Sequence, residues 1–168
     1  KNCLVVDLSS RNAHVADRPF RYETLPGLFT QLDAGDHLVL WDITDAFHHI
    51  RLKAADRLRL AFRVGARAFL PNVLPFGLKL APWAFTKLRR PVVTVLRRLG
   101  FRLISFSDDF GGAPPGSRPC SKTDATAGRR TALALFASLG VQVHAAKGAA
   151  IGTRRSPCLG SWSTPCVA

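Results

Sequence analysis

The sequence contains no methionine, few acidic residues and no long apolar run, and each shortage narrows what the protein can be. No apolar stretch reaches the roughly 20 residues that a membrane-spanning helix needs. The N-terminus also lacks the basic, apolar and small-residue order of a secretory signal. These absences predict an intracellular protein of the cytoplasm or nucleus that is not secreted. The chain opens at Lys1 rather than methionine, so we expect an internal piece of a longer polypeptide.

Size and cysteine content limit the architecture further. With 168 residues, of which 47% are hydrophobic, the chain can build one core or two small lobes. Its four cysteines show neither a Cys-x-x-Cys pair nor the spacing of a disulfide framework. Reduced thiols are therefore favoured over zinc ligands or disulfide bridges.

Negative charge is scarce as well. Against 24 Lys plus Arg there are 11 Asp plus Glu, which gives a formal net charge of +13. A surface this basic predicts a polyanionic partner. Nucleic acid is the first expectation, and an anionic membrane surface is the second.

Strands are predicted where apolar residues run together or alternate. HLVLWDI at 37–43 hardly alternates, which predicts a strand buried on both faces. RLRLAFRV at 57–64 alternates and, with a Gly65-Ala66 turn and the returning RAFLP, predicts a hairpin with a basic face. Further strands are expected at LVVDL (4–8), FRLISF (101–106), VQV (141–143) and near CLGSW (158–162).

Two helices are predicted between the later strands. The first runs from Pro82 to Gly100, and Pro91 is expected to kink or divide it. The second covers about 124–139, whereas the Gly- and Pro-rich stretch at 111–121 reads as a loop. The residues expected to face inward on the second helix are Leu133, Phe136 and Leu139. Helices mixed with hairpin-joined strands predict an α+β fold with a mainly antiparallel sheet.

The few carboxylates are placed unusually. Asp42 ends one apolar strand, and Asp108-Asp109 lie at the expected tip of a hairpin. On adjacent strands the three carboxylates would repel one another unless a cation lay among them. Hard cations such as Mg²⁺ prefer carboxylate oxygens, and two such ions roughly 3.5 to 4 Å apart stabilise phosphoryl transfer. Together with the basic surface, this predicts the chemistry of a polymerase.

Several motifs, in order and spacing, resemble those of reverse transcriptases over nearly the whole chain. LVLWDITDAF (38–47) resembles the first catalytic motif, LPFGLKLAPWAFTKL (74–88) the second, and FSDD (106–109) the aromatic-x-Asp-Asp motif. Downstream, SLGVQVHAAK (138–147) resembles the helix-turn-Lys segment and CLGSW (158–162) the primer-gripping hairpin. Within the family, the sequence looks most like retrotransposon enzymes of the DIRS and gypsy types.

The resemblance implies a right-hand polymerase fold with an antiparallel, helix-packed palm and partial fingers. The fingers would cover about 1–36 and 51–74, and the palm about 37–50 and 75–168. A thumb and a ribonuclease H domain would be absent from this piece and would belong to the parent polyprotein. The implied partners are an RNA template, or a DNA one, with a DNA primer and dNTPs, and no membrane.

The resemblance also implies residue roles. Asp42 and Asp108 would be the principal ligands of two Mg²⁺ ions, or Mn²⁺, with Asp109 assisting, and Lys147 would serve catalysis near the departing pyrophosphate. Phe47 would lie beneath the sugar, where its ring would collide with a 2′-OH. Contacts with the incoming nucleotide are expected from Pro75, Phe76, Gly77, Lys79 and Ala81. Contacts with nucleic acid are expected from Arg57, Arg59, Arg63, Arg67, Leu159 and Gly160.

Other conspicuous residues have ordinary interpretations. Trp41 and Trp83 lie within apolar patterns and are expected to pack rather than stack on bases. His48-His49 in an extended segment would face opposite ways and are taken as structural. For the arginines of the first helix, a solvated face and phosphate contact remain equally open. These are Arg89, Arg90, Arg97 and Arg98.

Two departures from the family pattern keep other functions open. Cys3 and Ser9 stand where the fingers motif of reverse transcriptases usually carries arginines. A decayed or domesticated copy that binds nucleic acid without catalysis is therefore the main alternative. A viral-type RNA-dependent RNA polymerase is a third, although such enzymes usually carry Asp where Phe47 stands and Gly where Ser107 stands.

Overall fold

The structure, a computed structural model, describes residues 6–144 and the backbone of residues 150–152. Its helices and strands are joined largely by hairpins and short connections, which confirms the predicted α+β class. In chain order they are α1 Ser9–Asn12, α2 Leu25–Phe29, β1 His37–Asp42, α3 Ala54–Arg57, β2 Phe62–Val64, β3 Arg67–Phe69, α4 Ala81–Arg98, β4 Arg102–Phe106, β5 Asp109–Ala113, α5 Lys122–Ser138 and β6 Ala150–Gly152. Two 3-10 helices lie at Ala46–His49 and Leu58–Leu60.

A four-stranded sheet in the order β4-β5-β1-β6 forms the framework of the fold. All neighbouring pairs are antiparallel, as the sequence predicts. β1 lies between β5 and β6 and ends at Asp42. Its Val39 and Trp41 are buried while the alternate residues are half-buried, so the predicted burial on both faces holds for one face only.

The main core forms between this sheet and the helices α4 and α5. Trp41 packs between Phe101 and Phe136, with ring centroids 6.1 and 6.4 Å away. From α4, Phe85 and Leu96 join the same buried cluster. Burying a side chain of this size contributes about 2 kcal/mol. Trp41 therefore packs, as predicted.

A second apolar cluster lies beside the main core and draws its residues from separate parts of the chain. Its buried members are Leu8, Leu60, Leu74, Leu78 and Ala81. Phe47 and Ile50 pack against both clusters, so the segment after β1 joins them.

The end of the sheet at which β1 and β4 begin is fixed by a buried ion pair. Asp36 is fully buried, and its carboxylate accepts two hydrogen bonds from Arg102, at 2.7 and 2.9 Å. Burial opposes ionisation of Asp36, but bonds from Arg102 and from the Cys120 N–H hold its pKa below the ordinary value. A buried charge paired in this way is costly to disrupt.

The hairpin after β1 is present but shorter than predicted. β2 and β3 pair Val64 with Arg67 across the turn, and Gly65 has φ 59°. Glycine suits that turn because a left-handed conformation costs it little. Arg63 and Arg67 are exposed on this hairpin.

The prediction of a strand over residues 57–60 is wrong, because these residues are helical. The Ala-Ala-Asp that precedes them favours a helix, and Asp56 pairs with Arg59 one turn later at 3.6 Å. Leu60 is buried in the second cluster. Arg57 and Arg59 consequently do not belong to the basic face of the hairpin.

The stretch at 111–121, predicted as a loop, begins as part of a strand. Gly111 and Gly112 continue β5 to Ala113. A Cβ at Gly112 would lie 2.2 Å from the Arg102 carbonyl oxygen, so glycine is what allows β4 to approach this closely. The irregular part starts only after Ala113.

α4 lies where the sequence predicts it. It runs from Ala81 to Arg98 and is not divided at Pro91. The carbonyl that loses its partner belongs to Lys87, on an exposed turn where water can supply the bond. Gly100, with φ 92°, follows the helix end as predicted.

α5 begins two residues earlier than predicted, because Ser121 and Asp124 form a capping box. Phe136 is buried and Leu133 half-buried, as expected. Leu139, predicted to face inward, is 53% exposed. The helix ends at Ser138 and the chain turns at Gly140, which directs Leu139 away from the core.

Several predictions concern the ends of the chain. Residues 6–8 of the predicted strand at 4–8 are irregular, and its first two residues lie outside the described part. Val143 bridges to Ile43 in antiparallel fashion, and β6 pairs with β1. CLGSW (158–162) lies outside the described residues. Within residues 6–144 and 150–152, no helix is both long and apolar enough to cross a membrane.

Candidate active site

Three aspartates meet where β1 ends and β5 begins. Asp42, the last residue of β1, is the Cα partner of Asp109, the first residue of β5. Asp108 lies in the turn between β4 and β5, and its carbonyl accepts the Ile43 N–H at 3.0 Å. The backbone thus places the three residues at the same end of neighbouring strands.

The turn that carries Asp108 is tight and has a left-handed residue. Phe106 pairs with Asp109, so only Ser107 and Asp108 connect the strands. Ser107 has φ 51°, a conformation that is uncommon for residues other than glycine. A conformation of this kind persists when surrounding contacts hold it.

The donor set determines which metal could bind here. Among the described residues, no three His, Cys, Asp or Glu side chains converge into a group that could hold a metal ion. Mg²⁺ does not require such a cage, because it keeps several waters and is usually bound through one or two carboxylates plus substrate phosphates. Asp42 and Asp108 supply hard oxygen donors of that type, so the residues present fit Mg²⁺.

Phe47 follows Asp42 on the 3-10 helix and is held by other rings. Its centroid lies 5.1 Å from that of Phe76 and 6.0 Å from that of Phe85. It is half-buried and contacts both apolar clusters. The ring therefore has a fixed position at the edge of the core.

The loop before α4 is held by Asn12. The Asn12 side-chain amide donates to the Gly77 carbonyl, and its oxygen accepts the Lys79 N–H, both at 2.8 Å. Gly77 has φ 89°, and a Cβ there would lie 2.9 Å from the Val6 carbonyl oxygen. Asn12 thus fixes this loop, a contact between distant segments that the sequence analysis did not anticipate.

The other residues predicted to contact the nucleotide differ in exposure. Lys79 is exposed and pairs with Asp17 at 2.6 Å. Phe76 is half-buried, whereas Pro75 and Ala81 are buried. Ala81 belongs to the second apolar cluster, so its side chain packs within the protein.

The basic residues predicted to contact nucleic acid fall into two groups. Arg63 and Arg67 are exposed on the hairpin of β2 and β3. Arg57 donates through Nε to the Leu52 carbonyl at 3.4 Å, and Arg59 pairs with Asp56. Lys147, Leu159 and Gly160, together with Cys3, lie outside the described residues.

The histidines are structural but not extended. They lie on the 3-10 helix Ala46–His49. His49 Nε2 accepts the Gln142 N–H at 3.1 Å, and Nδ1 lies 3.3 Å from the Ala46 carbonyl oxygen. His49 thereby links the segment after β1 to the segment after α5.

Of the four arginines on α4, Arg89 contacts the aspartate turn, and Arg97 contacts Glu23 and the Leu103 carbonyl of β4. Arg89 is buried and donates through Nη1 to the Ser107 carbonyl at 3.4 Å. Burial lowers the pKa of Arg89, and the Glu23 carboxylate opposes that shift. Arg97 pairs with Glu23 at 2.7 Å. The sequence left these arginines open between a solvated face and phosphate contact, and Arg89 has neither role.

Solved structures share this fold. The foamy viral protease-reverse transcriptase in complex with an RNA/DNA hybrid matches 87% of this chain, with a TM-score of 0.70 and 18% identity, over 19% of its own length. The same enzyme, as a dRH form in complex with double-stranded DNA, matches 88%, with a TM-score of 0.72, over 24% of its length. The mixed α+β architecture is therefore that of polymerase fingers and palm.

Residues 2–158 match the family described as reverse transcriptase (RNA-dependent DNA polymerase), and the chain belongs to that family. The Tf2-7 and Tf2-8 transposon polyproteins of Schizosaccharomyces pombe are each 28% identical to it over 82 residues. That match covers 49% of this chain and 6% of each polyprotein. The chain therefore corresponds to a small part of these relatives.

Proposed function

We propose that the chain is the catalytic part of an RNA-directed DNA polymerase, which joins dNTPs to a primer 3′-OH on an RNA or DNA template. One observation carries the proposal: Asp42 lies opposite Asp109 in the sheet, with Asp108 in the adjoining turn. Asp42 and Asp108 offer hard carboxylate oxygens at the end of the sheet where β1 stops and β5 starts, and Mg²⁺ is usually bound through one or two carboxylates plus substrate phosphates. Family membership supports the same conclusion.

The proposed roles follow from the residues around this site. Asp42 and Asp108 would hold two Mg²⁺ ions, or Mn²⁺, with Asp109 assisting. When bound, the metal supplies charge stabilisation for the attacking and leaving oxygens. Phe47 would limit the sugar pocket, and Lys147 would deliver a proton to the departing pyrophosphate.

The loop before α4 would form the floor of the nucleotide site. Pro75, Phe76, Gly77 and Ala81 would shape it, and Lys79 would offer its charge to phosphate. The bonds from Asn12 to residues 77 and 79 support this role, because they would hold the loop in one conformation before substrate arrives.

We further propose fingers at about 1–36 and 51–74 and a palm at about 37–50 and 75–168. Leu8 and Leu60, one from each proposed fingers segment, share the second apolar cluster, which also joins them to Leu78 and Ala81 of the proposed palm. Leu159 and Gly160 would contact the primer, while thumb and ribonuclease H domains of a parent polyprotein would extend the grip on a duplex. The Pro-Phe-Gly-Leu motif favours a DIRS- or gypsy-type element. The proposed compartment of action is the cytoplasm or nucleus.

A second candidate is a copy that binds nucleic acid without catalysis. Ser9 stands where the family usually carries arginine, and its N–H and hydroxyl both bond to the Asp7 carboxylate, at 2.9 and 2.6 Å. These bonds lower the pKa of Asp7. Serine, unlike arginine, has no charge to offer a triphosphate. Loss of triphosphate binding would leave the basic surface as the remaining function.

Primer extension on an RNA template tests the proposal, using the natural full-length polypeptide with dNTPs and Mg²⁺. Asp108→Asn should reduce extension by a factor on the order of 10³ or more, because a metal ligand is lost. Template binding should stay within about twofold, since one carboxylate matters little to a surface this basic.

The matched control is Asp33→Asn, which removes a carboxylate at the opposite end of β4, where Asp36 still holds Arg102. It should extend primers normally. Extension by Asp108→Asn at the wild-type rate would contradict the metal site. Template binding without any extension by the wild type would instead favour the non-catalytic copy.

A further inference from the structure

Arg89 is a buried cation with very few contacts. It lies on α4 between the buried residues Phe85 and Val93 and is 4% exposed. Its Nη1 donates to the Ser107 carbonyl, and its guanidinium lies 5.5 Å from the centre of the Tyr22 ring. Within the described part of the chain, its Nε has no hydrogen-bond partner.

This arrangement is poor for stability. A buried charge costs free energy unless it is paired and hydrogen-bonded. Among the described residues, Arg89 makes one long hydrogen bond and one ring contact. The nearby Glu23 carboxylate is engaged by Arg97 and by the Ser105 N–H. An apolar side chain at this point of α4 would stabilise the core at least as well. The charge therefore requires an explanation other than packing.

The contact of Arg89 is with the turn that presents Asp108. Ser107 has φ 51° and precedes Asp108 directly. Tyr22, which lies against the guanidinium, also packs on Phe106 with centroids 4.7 Å apart. Arg89 and Tyr22 thus hold the end of β4 and its turn from the side of the core.

We infer that Arg89 is a positioning residue: by donating to the Ser107 carbonyl, it holds the turn in the conformation that presents the Asp108 carboxylate. This inference rests on the proposed polymerase function for its kinetic consequence. Its structural consequence, a fixed turn, is independent of that function.

The test compares Arg89→Met, which fills the volume without charge, with Arg89→Lys, which keeps a charged donor. Arg89→Met should unfold at the same temperature as the wild type or higher. Its kcat for primer extension should fall on the order of tenfold, the loss expected for one charged hydrogen bond. The dNTP KM should change little, and the Mg²⁺ concentration for half-maximal rate should rise.

Arg89→Lys should recover most of that activity. A residue that only filled space would show the reverse order, with the Met variant active and the Lys variant impaired. Arg130→Met, at an exposed position on α5, is the matched control and should behave as the wild type. Tyr22→Leu removes the ring beside Arg89 but keeps the Arg89 charge and its bond to Ser107. It should therefore lower kcat less than Arg89→Met does.

Hydrogen exchange gives a readout that needs no catalysis. The Ile43 N–H donates to the Asp108 carbonyl, so its exchange reports on the docked turn. Arg89→Met should accelerate Ile43 exchange on the order of tenfold. Unchanged exchange and unchanged kcat would overturn the inference. Faster exchange in a chain whose wild type never extends a primer would uphold the positioning role and refute the polymerase function.

Discussion

In the proposed nucleotide site, Phe47 is the residue whose position would most directly limit which sugar fits. Its ring is fixed by Phe76 and Phe85 and lies five residues beyond Asp42. A ring held from two sides cannot easily move aside for an additional hydroxyl group. At the scale of the residue, packing against Phe76 and Phe85 holds the Phe47 ring in one position.

Phe47→Ala should therefore admit ribonucleotides. We expect the ratio of kcat/KM for dNTP over NTP to fall on the order of 10²-fold, the range that small steric differences give in enzyme pockets. Single-nucleotide incorporation with both substrates measures the ratio. Phe29→Ala, at the 43%-exposed end of α2, is the control and should not alter it. An unchanged ratio for Phe47→Ala would show that Phe47 does not select against the 2′-OH.

The start of α5 is the best-defined helix end in the protein. The Ser121 hydroxyl accepts the Asp124 N–H, and the Asp124 carboxylate accepts bonds from Ser121 and Ser117. These bonds lower the pKa of Asp124 from 3.8 to about 2. At the scale of the element, the Asp124 carboxylate stabilises both the first turn of α5 and the loop that precedes it.

Asp124→Asn should make stability less dependent on pH in acid. A carboxyl whose pKa is lowered by folding stabilises the protein above its ordinary pKa, and that contribution is lost as the pH falls toward the folded value. The variant should be less stable than the wild type at pH 6, and the difference should narrow between pH 4 and about 2. Urea unfolding at a series of pH values measures it. A difference that stays constant with pH would show that the charge is not involved.

The whole molecule is dominated by its positive charge. The formal net charge of +13 belongs to a chain whose few carboxylates are concentrated in ion pairs, a helix cap and the aspartate cluster. A surface of this kind attracts phosphate through counterion release. Arg63 and Arg67, exposed on the β2-β3 hairpin, are well placed to contribute.

Arg63→Gln/Arg67→Gln should weaken binding to an RNA oligonucleotide and lessen its salt dependence. The slope of log K against log salt should become less steep by roughly 1 to 2 for two lost phosphate contacts. Fluorescence anisotropy over a salt series gives the slope. Arg118→Gln/Arg130→Gln, which removes the same charge from exposed positions elsewhere, should change it less. Equal slopes for the two double variants would show that Arg63 and Arg67 are solvated and make no particular contact with phosphate.

The sequence by itself determined the class of fold and the order of most elements. Apolar runs at 37–43 and 101–106 become strands because their side chains must be buried. Asp42 ends the first of these strands and Asp108-Asp109 closely follow the second, so the sequence alone places the carboxylates relative to the strands. The pairing that makes Asp42 the Cα partner of Asp109 joins β1 to β5, which are far apart in the chain.

Only the tertiary structure decided the rest. Residues 57–60 alternate like a strand, but they are helical and Leu60 is buried with Leu8 and Leu74. Gly111 and Gly112 look like a loop, yet they lie in β5, where Leu40 and β4 leave no room for a Cβ. Arg89 looks like a surface arginine and is buried beneath the Asp108 turn. In each case the outcome depends on groups far along the chain, which periodicity and composition do not encode.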